Sequence, residues 1–156
     1  MSDQSLVFPA FVLEATLLSL REAGHGNSEA VVLWLGRRQP DVIAVSEAYV
    51  PEQQTEHDRF WIPQQAMSTL LAHLGATGTF IAAQVHSHPQ EAFHSLADDK
   101  WAIVRHLGAL SLVVPYFASG TTADNFLKNI AAFQLSAENK WKELSHSDRI
   151  RLIRLV

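Results

Sequence analysis

The chain has 156 residues, 47% hydrophobic and 18% charged, with a formal net charge of −4, eight histidines and no cysteine. These figures exclude a disordered chain, a disulfide scaffold, an iron–sulfur cluster and a Cys-rich zinc finger, and they leave any metal to His, Asp or Glu. A net-negative chain whose main body holds one basic doublet, Arg37-Arg38, lacks the clustered basic face of a nucleic-acid-binding domain.

The first apolar segment, Pro9 to Glu22, carries Ala10, Leu13, Leu17 and Leu20 at helical spacing, with Gly24 placed to end a helix. Ala30 to Leu35 is an almost unbroken apolar run rich in β-branched residues. It leads through the turn Gly36 to Asp41 into a second run, Val42 to Val50, and the pair reads as a central strand hairpinned to its neighbour. Polar residues 51–59 form a loop. Pro63 then stands at a first helical position, Met67, Leu70, Leu71 and Leu74 repeat as the buried stripe of a helix, and Gly75 closes it.

Beyond this, Thr79 to His86 reads as a strand, Leu96 to His106 as a short helix and Ala109 to Val114 as a strand. Ile130 to Leu135 with Trp141 to Leu144 reads as a terminal hairpin, and a last helix starts at Asp148. The order α-β-β-α-β-α-β-β-β predicts a mixed α/β (α+β) domain, a single mixed sheet flanked by helices, spanning residues 1–156 without repeat or linker. No apolar run approaches the ~20 residues that cross a bilayer, and Met1-Ser2-Asp3-Gln4 has no signal-peptide character, so a cytoplasmic protein is expected.

Chemistry concentrates in residues 85–99. Residues two apart on a strand share a face, so His86 and His88 offer two imidazoles side by side at a strand end, and Pro89 stops further pairing. Ser95-x-x-Asp98 has the form of a helix capping box, which directs Asp98 back toward whatever precedes the helix. Read alone it is only a cap; read with the histidines, Asp98 completes two imidazoles and a carboxylate, the open donor set of a catalytic zinc site. Such a site needs a carboxylate that is not a ligand to move the proton of the attacking water. Glu29, at the mouth of the first apolar strand, is the candidate, although a lone Glu at a strand end is ordinarily just solvated.

Glu29 before an apolar strand ending at Gly36, then His86-x-His88-Pro89, then Ser95-x-x-Asp98, resembles the JAMM signature of the JAB/MPN metalloprotease family across roughly residues 9 to 118. The resemblance implies a JAB/MPN-like (cytidine-deaminase-like) domain. It implies zinc held by His86, His88 and Asp98, Glu29 as the general acid/base activating the zinc-bound water, and Ser95 as hydrogen-bond donor to the oxyanion. One spacing departs from the family pattern: six residues, 89–94, separate His88 from Ser95 where the family has seven. Strict spacing would substitute Leu96 and Asp99. Ser95 and Asp98 are preferred because a leucine cannot donate a hydrogen bond, with Asp99 and His94 as alternative ligands.

The late features Gly108 to Pro115 and Asn139 to Leu144 are similar to bacterial JAB proteins encoded beside a ubiquitin-like protein and its activating and conjugating enzymes. The implied activity is a peptidase or isopeptidase that trims a ubiquitin-like precursor or removes the modifier from a target, with the C-terminal tail lying along a strand edge. Two other readings are a non-catalytic MPN-type scaffold and a peptidase for sulfur-carrier or small amino-acid conjugates. An intact set of Glu29, His86, His88, Ser95 and Asp98 argues against the scaffold. His25, His57, His73, His106 and His146 are expected to be background residues.

Overall fold

A computed structural model describes residues 4–93 and 102–156. An eight-stranded mixed sheet runs in the order β10-β1-β3-β2-β6-β7-β8-β9. Its strands are β1 (Ser5–Phe8), β2 (Val31–Arg38), β3 (Val42–Tyr49), β6 (Phe80–Ser87), β7 (Leu110–Val114), β8 (Ala131–Leu135), β9 (Trp141–Glu143) and β10 (Ile153–Leu155). A separate hairpin joins β4 (Gln54–Thr55) to β5 (Phe60–Trp61). The helices are α1 (Ala10–His25), α2 (Gln64–Thr77), α3 (Phe126–Asn129) and α4 (His146–Leu152). The expected single mixed sheet flanked by helices is the fold observed.

β2 lies at the centre, antiparallel to β3 and to β6. Because neither of its faces meets water, its first six residues are all buried, which is why the segment reads as a continuous apolar run rather than an alternating one. Alternate residues serve two layers. Val32 and Trp34 join Leu13, Leu17 and Leu20 of α1, while Val31, Leu33 and Leu35 join Leu70 of α2. Trp34, fully buried, stacks near Phe8 and Phe126 and donates its indole N–H to Thr16 Oγ1 at 2.8 Å, so the largest core side chain has no unsatisfied polar atom. The strand bends at Gly36, where a Cβ would stand 2.4 Å from the carbonyl oxygen of Ala44.

Several expectations need correction. β1 is an additional strand, parallel to both β3 and β10, and β10 itself follows the last helix. α1 does not end at Gly24: it runs to His25 and is capped by Gly26. α2 likewise passes Gly75 and ends at Gly78, whose φ of 65° gives the left-handed cap that glycine adopts most easily. Within the expected stripes Ala10 is exposed, and Leu71 is 64% exposed while Met67, Leu70 and Leu74 pack inward. Loop 51–59 contains β4. Of the expected helix Leu96 to His106, residues 96–101 lie outside the described residues, and residues 102–106 are not helical. The last helix starts two residues earlier than expected, with Ser145 Oγ accepting the Asp148 N–H.

Candidate metal centre

β6 becomes buried at Ala82 and stays so to its end, carrying His86 into the interior beside the first turn of the following loop. His86 is fully buried and His88 nearly so, and their ring centroids lie 5.1 Å apart. Phe60 of β5 flanks His86 at 5.7 Å, and Phe93 meets His88 edge-on at 4.6 Å. A phenyl ring thus lies against each of the two imidazoles.

Glu29 is only 4% exposed, unlike an ordinary solvated strand-end carboxylate. Its position follows from register: Val31 pairs with His86 and Val32 with Val85, so extending the ladder sets Glu29 opposite His88. Hydrogen bonds hold this extension. Ser87 N–H donates to Ala30 O and Ala30 N–H donates to Ser87 Oγ, both at 3.1 Å, while Glu29 N–H donates to Glu56 O at 2.7 Å. Beyond the end of β3, Gln53 replaces the missing neighbour of Val31, accepting its N–H at 2.8 Å and donating to its carbonyl at 2.9 Å.

The far side of the pair is fixed by an unusual turn. His88 N–H donates to Val114 O at 2.9 Å, and His88 O accepts from Phe117 N–H at 2.8 Å. Tyr116, Phe117 and Ala118 have φ of 53°, 52° and 62°, three successive non-glycine residues in the left-handed region, each costing about 1 kcal/mol or more.

The donor chemistry fits a metal ion in part. Two adjacent buried imidazoles suit zinc, and among the described residues no group of three His, Cys, Asp or Glu completes a site. Ser95, Asp98 and the alternatives His94, Leu96 and Asp99 all lie outside the described residues. His57, His73 and His106 are engaged elsewhere: with Asn27 O, with Glu47 Oε1 at 2.8 Å and with Ile81 O at 2.8 Å.

The supporting residues escaped the sequence reading. Gln53 sits in a polar loop with no local pattern to mark it. Gln84, buried in β6, donates to Ser111 Oγ and accepts the N–H groups of Ile103 and Val104 at 2.9 and 3.4 Å. A glutamine interrupting an apolar strand was the available signal, since a buried amide must find partners.

The same fold occurs in protein DSY2949 from Desulfitobacterium hafniense, solved in solution, with a TM-score of 0.70, 97% of this chain and 92% of that chain covered, and 19% identity. No protein-family model matches the chain. Sequence comparison nonetheless gives its class: the chain belongs to a metalloprotease family. The relative that shows this is "Probable metalloprotease y4jG" of Sinorhizobium fredii (strain NBRC 101917 / NGR234), 30% identical over 159 residues, covering 98% of this chain and 95% of that protein.

Proposed function

We propose that the chain is a zinc-dependent peptidase of the JAB/MPN (JAMM) type that hydrolyses the bond after the C-terminal tail of a ubiquitin-like protein. The observation that carries the peptidase reading is the buried His86–His88 pair with Glu29, also buried, two residues before the neighbouring strand. The relative's name supports it. The ubiquitin-like substrate rests on the resemblance of the sequence to bacterial JAB proteins.

His86, His88 and Asp98 would hold the metal. Zinc, when bound, supplies Lewis acidity toward the scissile carbonyl and lowers the pKa of water to ~7. Glu29 accepts the proton of the attacking water at its carboxylate and returns it to the departing amine. Ser95 donates its hydroxyl hydrogen to the carbonyl oxygen as charge develops there. Phe60 and Phe93 set apolar rings against the two imidazoles. Among the described residues the β4–β5 hairpin joins no larger sheet, and it carries Phe60 beside His86, so it offers backbone groups to an extended tail. Activating and conjugating enzymes would be the partners of such a substrate. Among the described residues no helix is long and apolar enough to cross a membrane.

The test is incubation of the purified chain with a ubiquitin-like protein fused through its tail to a reporter. Cleavage directly after the tail, abolished by a chelator and restored by zinc, is expected. Cleavage indifferent to chelation would overturn the metal mechanism, and a zinc-loaded chain that cuts other peptides but not this fusion would overturn the substrate.

A further inference from the structure

Three features of the structure converge on the backbone of His88 from the side away from Glu29. The first is the left-handed turn Tyr116–Ala118, whose Phe117 N–H donates to His88 O while Tyr116 N–H donates to Gln90 O at 2.9 Å. The second is Arg21 of α1, whose guanidinium donates to Ala118 O at 3.1 Å and also to Thr121 O, and so grips the carbonyls on the exit side of that turn. The third is Gly24, in the last turn of α1, which runs on to His25. A Cβ there would stand 2.4 Å from Phe117 Cβ and 3.3 Å from Phe117 O. Only glycine lacks the Cβ that would collide here, so Gly24, one turn after Arg21, marks the place where the turn rests directly on the helix.

We infer that the C-terminal end of α1, through Arg21 and Gly24, is a platform that holds the Tyr116–Ala118 turn in its left-handed form and thereby sets the position of the metal ligand His88. Arg21 and Gly24 are positioning residues: they touch neither substrate nor metal and act through Phe117. A turn of three successive non-glycine residues does not keep positive φ unaided. The guanidinium on Ala118 O and Thr121 O and the packing of Phe117 on Gly24 supply the constraint, and the Phe117–His88 hydrogen bond transmits it. Outer groups that orient a ligand commonly change metal affinity by ~10- to 100-fold when removed. This inference rests on the reading of His88 as a ligand.

The experiment measures zinc affinity by competition with a chromophoric chelator, together with the visible absorption of the cobalt-substituted protein, well below the unfolding midpoint. Arg21→Met and Gly24→Ala are each expected to raise the zinc dissociation constant ~10-fold or more and to alter the cobalt spectrum. Arg21→Lys should restore part of the affinity. Adding Phe117→Gly to Gly24→Ala removes the opposing Cβ and should recover the spectrum, a result that a general loss of packing does not produce. If Arg21→Met fails to fold, Gly24→Ala decides. Unchanged affinity and spectrum in folded Gly24→Ala overturn the inference, provided His88→Ala has lost zinc; retention of zinc by His88→Ala overturns the ligand assignment itself.

Discussion

Val31 of β2 and His86 of β6 are register partners across the centre of the sheet, and this pairing fixes what lies beyond the ends of both strands. Two residues upstream of Val31 is Glu29, and two residues downstream of His86 is His88. An antiparallel ladder thus delivers a carboxylate and an imidazole to one place from positions 59 residues apart in the sequence.

From this follows a division of roles. Glu29→Ala is expected to retain about one zinc per chain and to lose cleavage by ~100-fold or more, as removal of a general base does. His88→Ala is expected to lose both metal and activity. Metal analysis of the two purified variants, beside a turnover assay, checks the assignment, and a metal-free Glu29→Ala protein would contradict it.

Ser95 and Asp98 separate in the same way. Ser95→Ala should keep zinc and lower turnover ~100-fold if its hydroxyl serves the oxyanion. Asp98→Ala should lose zinc while Asp99→Ala keeps it. The reverse result for the two aspartates would show that the shorter loop has shifted the ligand by one position.

Zinc binding should also stabilise the fold. At free zinc ~1,000 times the dissociation constant the gain is about 4 kcal/mol by mass action. Thermal unfolding of the parent chain should therefore move to lower temperature on addition of a chelator, and His88→Ala should unfold at the same temperature with or without it.

Gly36→Ala tests the close approach of β2 and β3. With only 2.4 Å available to a Cβ against Ala44 O, the strands must part, at a cost of about 1–3 kcal/mol in chemical denaturation. A variant as stable as the parent would show that the bulge relaxes freely.

Gln84→Leu removes the acceptor for Ile103 and Val104 N–H and the donor to Ser111 Oγ. Leaving the Ile103 and Val104 N–H groups without this acceptor costs about 1–3 kcal/mol. Gln84→Glu, which still accepts both N–H groups, should fall less in denaturation midpoint than Gln84→Leu.

What could be read in advance was what local pattern determines. The β2 run, the α1 residues Leu13, Leu17 and Leu20, and the spacing of His86 and His88 need only a few consecutive residues to show themselves. β1 could not be read this way. Its four residues become a strand because Leu6 and Phe8 are buried in the main core, Phe8 against Trp34 and Phe126, and because β3 and β10 supply partners from 37 and 147 residues away, arrangements that no window over Ser5–Phe8 contains. The glycines are ambiguous in sequence for a related reason. Gly24 and Gly75 looked like helix stops, yet one is small because Phe117 leans on it and the other is an ordinary interior position. The His86–His88 juxtaposition was legible from two residues; the turn and the glutamines around it depend on tertiary approach alone.

β10 consists of three residues, yet it covers the outer side of β1, pairing Leu6 with Ile153, Val7 with Arg154 and Phe8 with Leu155. Without it, β1 would present a row of open backbone donors and acceptors on a strand whose side chains include Leu6 and Phe8, an invitation to pair with another molecule. The last strand thus acts as a guard against self-association. Its loss would also take Ile153, fully buried, out of the main core.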